Sequence, residues 1–150
     1  MRLLHYSWKP LEPLEKREQP RGNTHKPHGL WVSVEGDDDW PTWCNSENFA
    51  LDGLGVVHEI VLCPGAPVLR ISDPAALMTF HRRYATGHEP RYAFDWYRVA
   101  LDYQGLIIAP YIWEMRMSEE VLWYYTWDCA SGCIWDPAAI ESVTVLESAA

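Results

Sequence analysis

Four cysteines, Cys44, Cys63, Cys129 and Cys133, and six histidines are the side chains whose types invite metal or nucleophile chemistry. Structural zinc usually takes two close ligand pairs. Cys129 and Cys133 stand four apart and His25 and His28 three apart, a spacing that zinc tolerates without being diagnostic. Separately buried thiols, behaving as small hydrophobes, are the plainer reading. A thiol nucleophile needs a base within hydrogen-bond reach. No His stands near Cys44, Cys129 or Cys133 in sequence, and Gly132 beside Cys133 makes no nucleophile motif. Glu114 and Arg116 are two apart, so on a strand they would share a face, where a mutual ion pair is the ordinary outcome. The acidic run from Glu35 to Asp39 reads as a solvated loop and helix start rather than a metal cage. The aromatic set is the less ordinary one: nine Trp and eight Tyr against three Phe. Indole and phenol rings fill cores, and they also suit half-wet surfaces that stack on flat ligands.

These types converge near the C-terminal end. Trp127-Asp128-Cys129-Ala130-Ser131-Gly132-Cys133-Ile134-Trp135-Asp136-Pro137-Ala138-Ala139-Ile140 holds two of the cysteines and two of the tryptophans. Its apolar triplet Cys133-Ile134-Trp135 reads as a strand running into an Asp136-Pro137 turn.

The 150 residues have the length of one domain, taken as 1–150, with 48% hydrophobic and 22% charged residues. A net charge of −9, three Lys and no basic run longer than Arg82-Arg83 argue against nucleic-acid phosphate as the main partner. No stretch of about 18 apolar residues exists, so no membrane span is expected. Met1 to His5 is too short in apolar length for a signal peptide, and a cytoplasmic, reducing setting follows as the expectation.

The elements that must position these residues are short. Arg2 to Trp8 reads as a first strand, and residues 9 to 28, with four Pro, as a long loop or arm. Gly29 to Val34 is a second strand. Asp39 before Pro41 starts a helix over about 41–50. Gly55 to Cys63 and Val68 to Ile71 are strands, and Ser72-Asp73-Pro74 starts a helix to about Tyr84, with Ala76, Leu77, Phe80 and Tyr84 as its core stripe. Asp95 caps a short helix through Leu101, and Leu106 to Ala109 is a buried strand. Glu120 to Trp127 reads as a strand, with a short helix at Ser118 to Leu122 as the alternative. Cys133 to Trp135 and Val143 to Leu146 close the chain as strands. Strands and helices do not alternate strictly, which favours α+β over a doubly wound sheet. There is no Gly-x-Gly-x-x-Gly and no phosphate-binding Gly-x-x-x-x-Gly-Lys.

Three separated pieces resemble the ADP-ribosyltransferase fold, in the branch related to diphtheria toxin and the poly(ADP-ribose) polymerases. His5-Tyr6-Ser7 is similar to the family's first strand, a His followed by a small hydroxyl residue or Gly. Gly29-Leu30-Trp31-Val32-Ser33 is similar to its Gly-(Ile/Leu)-Tyr-Phe-(Ser/Ala/Thr) strand. Ser131 to Ile140 is similar to its Glu-aromatic-(Val/Ile)-Val-aromatic-Asp-Pro-x-Gln-Ile segment. Leu101 to Ile108 also resembles a Gly-Tyr-Asp-Gly-Val segment of bacterial members.

The resemblance implies a mixed β-core of two small sheets with short flanking helices, and NAD as substrate. Breaking the bond between nicotinamide and ribose passes through an oxocarbenium-like state, so the site must hold a flat cationic ring and stabilise positive charge on the sugar. By resemblance His5 would hydrogen-bond the adenosine ribose, within the His5-Tyr6-Ser7 segment, Trp31 would stack on the nicotinamide, and Ser33 would support the pocket floor or touch the amide. Stacking a cationic ring on an indole is worth about 1–2 kcal/mol. Ser131 stands where the family has its catalytic Glu, and a hydroxyl cannot supply the negative charge. Losing such a preorganised group costs on the order of 10²–10³ in rate. Three outcomes follow. Asp128 reaches in if the Ala130-Ser131-Gly132 turn bends the strand, or Glu114 supplies the carboxylate from a neighbouring element, or the fold works without catalysis. The expected function is a mono-ADP-ribosyltransferase or NAD glycohydrolase acting on a macromolecule, with a protein target favoured over nucleic acid by the acidic charge. The alternative is a non-catalytic interaction module of the same fold, binding a protein or small ligand in an aromatic groove.

Overall fold

The computed structural model describes residues 1–146. Seven strands, β1 (Leu3–Ser7), β2 (Leu30–Val34), β3 (Val56–Leu62), β4 (Val68–Ile71), β5 (Gly105–Ile108), β6 (Ser131–Ile134) and β7 (Ile140–Val145), form one sheet in the order β4-β5-β6-β2-β1-β3-β7. Only β4 and β5 run parallel. The connection between them carries α2 (Pro74–Tyr84) and α3 (Trp96–Asp102), since a parallel pair needs a long crossover. The third helix, α1 (Trp40–Glu47), follows β2. The α+β class therefore holds.

All three helices start as the Asp residues imply. The Asp39 carboxylate accepts from Thr42 N at 3.0 Å, Asp73 from Ala76 N at 2.8 Å and Asp95 from Arg98 N at 3.2 Å. Each satisfies one N–H that the first helical turn leaves without a partner. On α2 the buried stripe is Leu77, Phe80 and Tyr84, with Ala76 partly buried. The core between α2, α3 and the sheet is aromatic. Phe80, Phe94, Trp96 and Trp123 pack with ring centroids 5.2–6.2 Å apart, and Trp127 adjoins them. Edge and tilted contacts of this kind add to the area that the rings bury.

Two expectations are corrected. The segment read as a strand over 120–127 is a 3₁₀ helix, Glu119–Thr126, kinked at Val121. It buries Val121, Trp123 and Tyr124, a spacing that a strand of period two cannot put on one face. The expected two small sheets are one continuous sheet, because β6 pairs with both β5 and β2. Gly132 permits this close approach: a Cβ there would lie 2.7 Å from Ile107 Cγ1 and 2.8 Å from the Leu106 carbonyl oxygen. The sheet is narrowest at β1 and β2, which match over Leu3–Val34 and Leu4–Ser33 only. Beyond that pair β1 continues against β3 as far as Ser7, and β2 continues against β6 as far as Leu30.

Candidate functional site

A cleft opens where β1 and β2 part. The His5 ring bridges the gap, with Nδ1 2.6 Å from the Trp31 carbonyl oxygen. That oxygen only accepts, so Nδ1 carries the proton and Nε2 is left as the acceptor. Burial lowers the His5 pKa from its ordinary 6.5, with the Trp31 carbonyl opposing and His58 assisting, so the ring is neutral near pH 7. On one side of this bridge lies a cavity of about 280 Å³, lined by His5 and Tyr6 from β1, Trp31 and Ser33 from β2, and Asp128 and Ser131 at the start of β6. On the other side lies a cavity of about 500 Å³ beneath the arm, between Leu11 to Arg17 and the ends of β2 and β6. His5 and Trp31 line both cavities.

The arm is pinned over the second cavity at two points. Leu11 N donates to Nε2 of the buried His58 at 3.0 Å, and Arg17 N donates to the Trp135 carbonyl at 2.8 Å. A run with four Pro and little apolar content is thus held by backbone bonds rather than by core packing.

The aromatic wall of the smaller cavity is built edge to face. Trp31 meets the buried Trp127 at 4.8 Å and 70°. Lys26 Nζ lies 5.5 Å from the Trp31 ring, within cation–π reach. Ser33 accepts from Trp40 N at 2.9 Å, which ties the entry of α1 to the cleft floor. The Ser131 hydroxyl donates to the Cys129 carbonyl at 3.0 Å and is buried.

Asp128 is the one carboxylate lining the smaller cavity among the described residues, whereas Glu12 and Glu15 line the larger. Its Oδ1 lies 3.8 Å from Arg116 Nη2. Burial raises the Asp128 pKa above its usual 3.8, more than Lys26 and Arg116 lower it, and Glu47 adds to the rise. Arg116 fares differently. Burial works against its charge, but a 2.7 Å bond to the Tyr111 hydroxyl, together with Asp128, outweighs that and raises its pKa. Tyr111 in turn donates to the Trp127 carbonyl at 2.7 Å. The chain Trp127, Tyr111, Arg116, Asp128 therefore holds the carboxylate beside the indole wall.

Of the anticipated site residues, His5, Tyr6, Trp31, Ser33, Asp128 and Ser131 come together on one cleft. Ser7 does not line it; its hydroxyl donates to the Lys9 carbonyl at 2.6 Å. Glu114 is outside it as well. It stands exposed on the 3₁₀ turn Trp113–Met115, so it shares no strand face with Arg116, whose partners are Asp128 and Tyr111. Lys26 and Trp40 are cleft residues that sequence reasoning did not single out, and Trp127 entered it only as part of the C-terminal stretch. Their spacing carries no signal, because each comes from a different element. Three of the thiols are poor nucleophiles: burial pushes Cys129 up to about 12 and raises Cys44 and Cys133 as well. Among the described residues no three His, Cys, Asp or Glu side chains gather as a metal site, and no helix is long and apolar enough to cross a membrane. Compared with known proteins, the chain matches no family model, no curated protein sequence and no solved structure.

Proposed function

We propose that the chain has an ADP-ribosyltransferase-like fold and is an NAD-consuming mono-ADP-ribosyltransferase, or a glycohydrolase where water is the acceptor, with Asp128 as its carboxylate. One observation carries this reading: three segments far apart in sequence, containing His5, Trp31 and Ser131, lie on the adjacent strands β1, β2 and β6 and line one cleft. Two cavities that share His5 and Trp31 suit a ligand with two ring-bearing halves. In this reading the nicotinamide stacks on Trp31 and displaces Lys26 from that face. A ribose hydroxyl of the adenosine half donates to His5 Nε2. The bond from ribose C1′ to the nicotinamide nitrogen breaks with its electron pair going to the ring, which neutralises the pyridinium. Asp128 stabilises the positive sugar, and the acceptor's lone pair then bonds C1′ while its proton passes to solvent water. A protein acceptor agrees with the net charge of −9.

The second reading, a non-catalytic module of this fold, has its own support. Arg116 already pairs with Asp128, and Lys26 already covers Trp31, so resident cations occupy both places that a cationic substrate would use. Thermal-shift titration separates the two readings. With NAD or nicotinamide at about 1 mM the melting temperature should rise, and no rise with either ligand would end the NAD reading. With labelled NAD, Trp31→Ala should lose most label transfer, and transfer equal to wild type would remove Trp31 from the site.

A further inference from the structure

Beside the cleft mouth lies a partly exposed aromatic surface, of which only Trp40 reaches the cleft. Trp40 and Trp43 of α1 stack at 5.2 Å and 13°, and Phe49 stands edge-on to both at 6.3 and 5.5 Å. Phe49 is 53% exposed. It is held there by Asn48 and Ala50, both left-handed at φ 50, a backbone state that residues with a Cβ avoid unless the surroundings require it. Exposed Trp113 joins the same rim by donating from Nε1 to Asp38 Oδ2 at 3.1 Å. Trp40 also lines the cleft, so the surface runs into it.

The segment that forms this surface carries one sign of charge, with Lys26 facing it from the cleft beside Trp40. From Glu35 to Asp52 the chain has six carboxylates and no Lys, Arg or His. Glu35 pairs with Arg2 at 3.1 Å, whereas Asp37, Asp38, Asp39, Glu47 and Asp52 form no ion pair among the described residues. Indole faces attract cations through the ring quadrupole, and nearby carboxylates add Coulomb attraction. We infer that the rim formed by residues 37–52 binds a cationic, Arg- and Lys-bearing polypeptide segment and lays it across the cleft mouth. A nucleic-acid strand also stacks on indoles, but its phosphates meet five unpaired carboxylates. A second copy of the chain would set two acidic rims against each other. Binding at the rim does not depend on the NAD reading; only its use for docking a target does.

The test uses the full chain without NAD. A fluorescein-labelled peptide of about ten residues alternating Arg and Gly is titrated by anisotropy, beside a matched Glu-Gly peptide and an oligothymidylate. The Arg-Gly peptide should bind with Kd on the order of 10 μM at about 50 mM salt and weaken steeply at about 0.5 M, while the other two should not bind. Phe49→Ser, and separately Asp37→Lys with Asp52→Lys, should each weaken binding at least about fivefold, with far-ultraviolet circular dichroism unchanged. Equal binding to both variants would assign the affinity to diffuse net charge and overturn the inference. Absence of Arg-Gly binding, preference for oligothymidylate, or self-association in ultracentrifugation that Phe49→Ser abolishes would overturn it too. The melting-temperature rise with NAD, measured on the same Phe49→Ser protein, reports the cleft separately.

Discussion

If Asp128 is the proposed catalytic carboxylate, Asp128→Asn should move activity and stability in opposite directions, because the buried charge is held at some cost to the fold. The pair with Arg116 at 3.8 Å has a gross Coulomb attraction of about 4 kcal/mol at an effective dielectric near 20. Even so the Asp128 pKa lies above its ordinary 3.8, so burial outweighs Arg116 and Lys26 together. A folded-state pKa above the unfolded one means that the charged form favours unfolding. The penalty is absent below pH 3.8 and grows as pH rises through the folded pKa. Asn keeps the shape without the charge. It should leave the melting temperature at pH 7 unchanged or raise it by up to about 3 °C, corresponding to about 1 kcal/mol. The gap to wild type should shrink as pH falls toward 3.8. Label transfer from NAD should fall by on the order of 10²–10³, about 3–4 kcal/mol of transition-state stabilisation. Thermal melts and label transfer on one preparation measure both. A melting temperature lower by more than about 4 °C, or label transfer within about threefold of wild type, would refute the argument.

Two further outcomes follow from the cleft walls. For His5, burial holds the folded pKa below 6.5, so the unfolded chain binds the extra proton, and stability is present above pH 6.5 and lost as pH falls toward the folded pKa. The urea-midpoint difference between wild type and His5→Gln should therefore shift against wild type below pH 6.5; a difference independent of pH would contradict the burial argument. Gly132→Ala sets a Cβ 2.7 Å from Ile107 Cγ1 and 2.8 Å from the Leu106 oxygen, which forces β5 and β6 apart. It should cost about 2–4 kcal/mol and lower the melting temperature by about 5–15 °C; a change under about 2 °C would mean that the strands yield easily.

The helices were legible because their start signals are local. Asp39, Asp73 and Asp95 each sit three residues before the N–H that they accept, with Pro41 and Pro74 fixing the first turn of α1 and α2. β4 was legible for the same kind of reason, as a short apolar run between turn residues. What failed was what depends on tertiary context. Glu119–Thr126 is aromatic enough for a strand, yet it joins no strand of the sheet and closes into 3₁₀ turns that bury Val121, Trp123 and Tyr124. The joining of β5, β6 and β2 rests on a glycine whose missing Cβ matters only against Leu106 and Ile107 of the neighbouring strand.

In the proposed ADP-ribosyltransferase reading, the carboxylate absent at position 131 would come from Asp128, by the same distinction between pattern and packing. Within a strand pattern only alternate residues reach a given face, so a carboxylate three positions from Ser131 reaches the cleft only if the chain departs from a regular strand there. β6 begins at Ser131, and Asp128 lies before it in irregular chain, where alternation does not apply. There the Ala130 N–H is taken by the Asp38 carbonyl at 2.8 Å, and the Ser131 hydroxyl turns back to the Cys129 carbonyl. These two bonds shape the approach to the strand, while Arg116, anchored on Tyr111, fixes the carboxylate at its end. Ser131 is therefore a positioning residue in the proposed site, and the negative charge that the chemistry needs enters from the loop that Ser131 helps to fold.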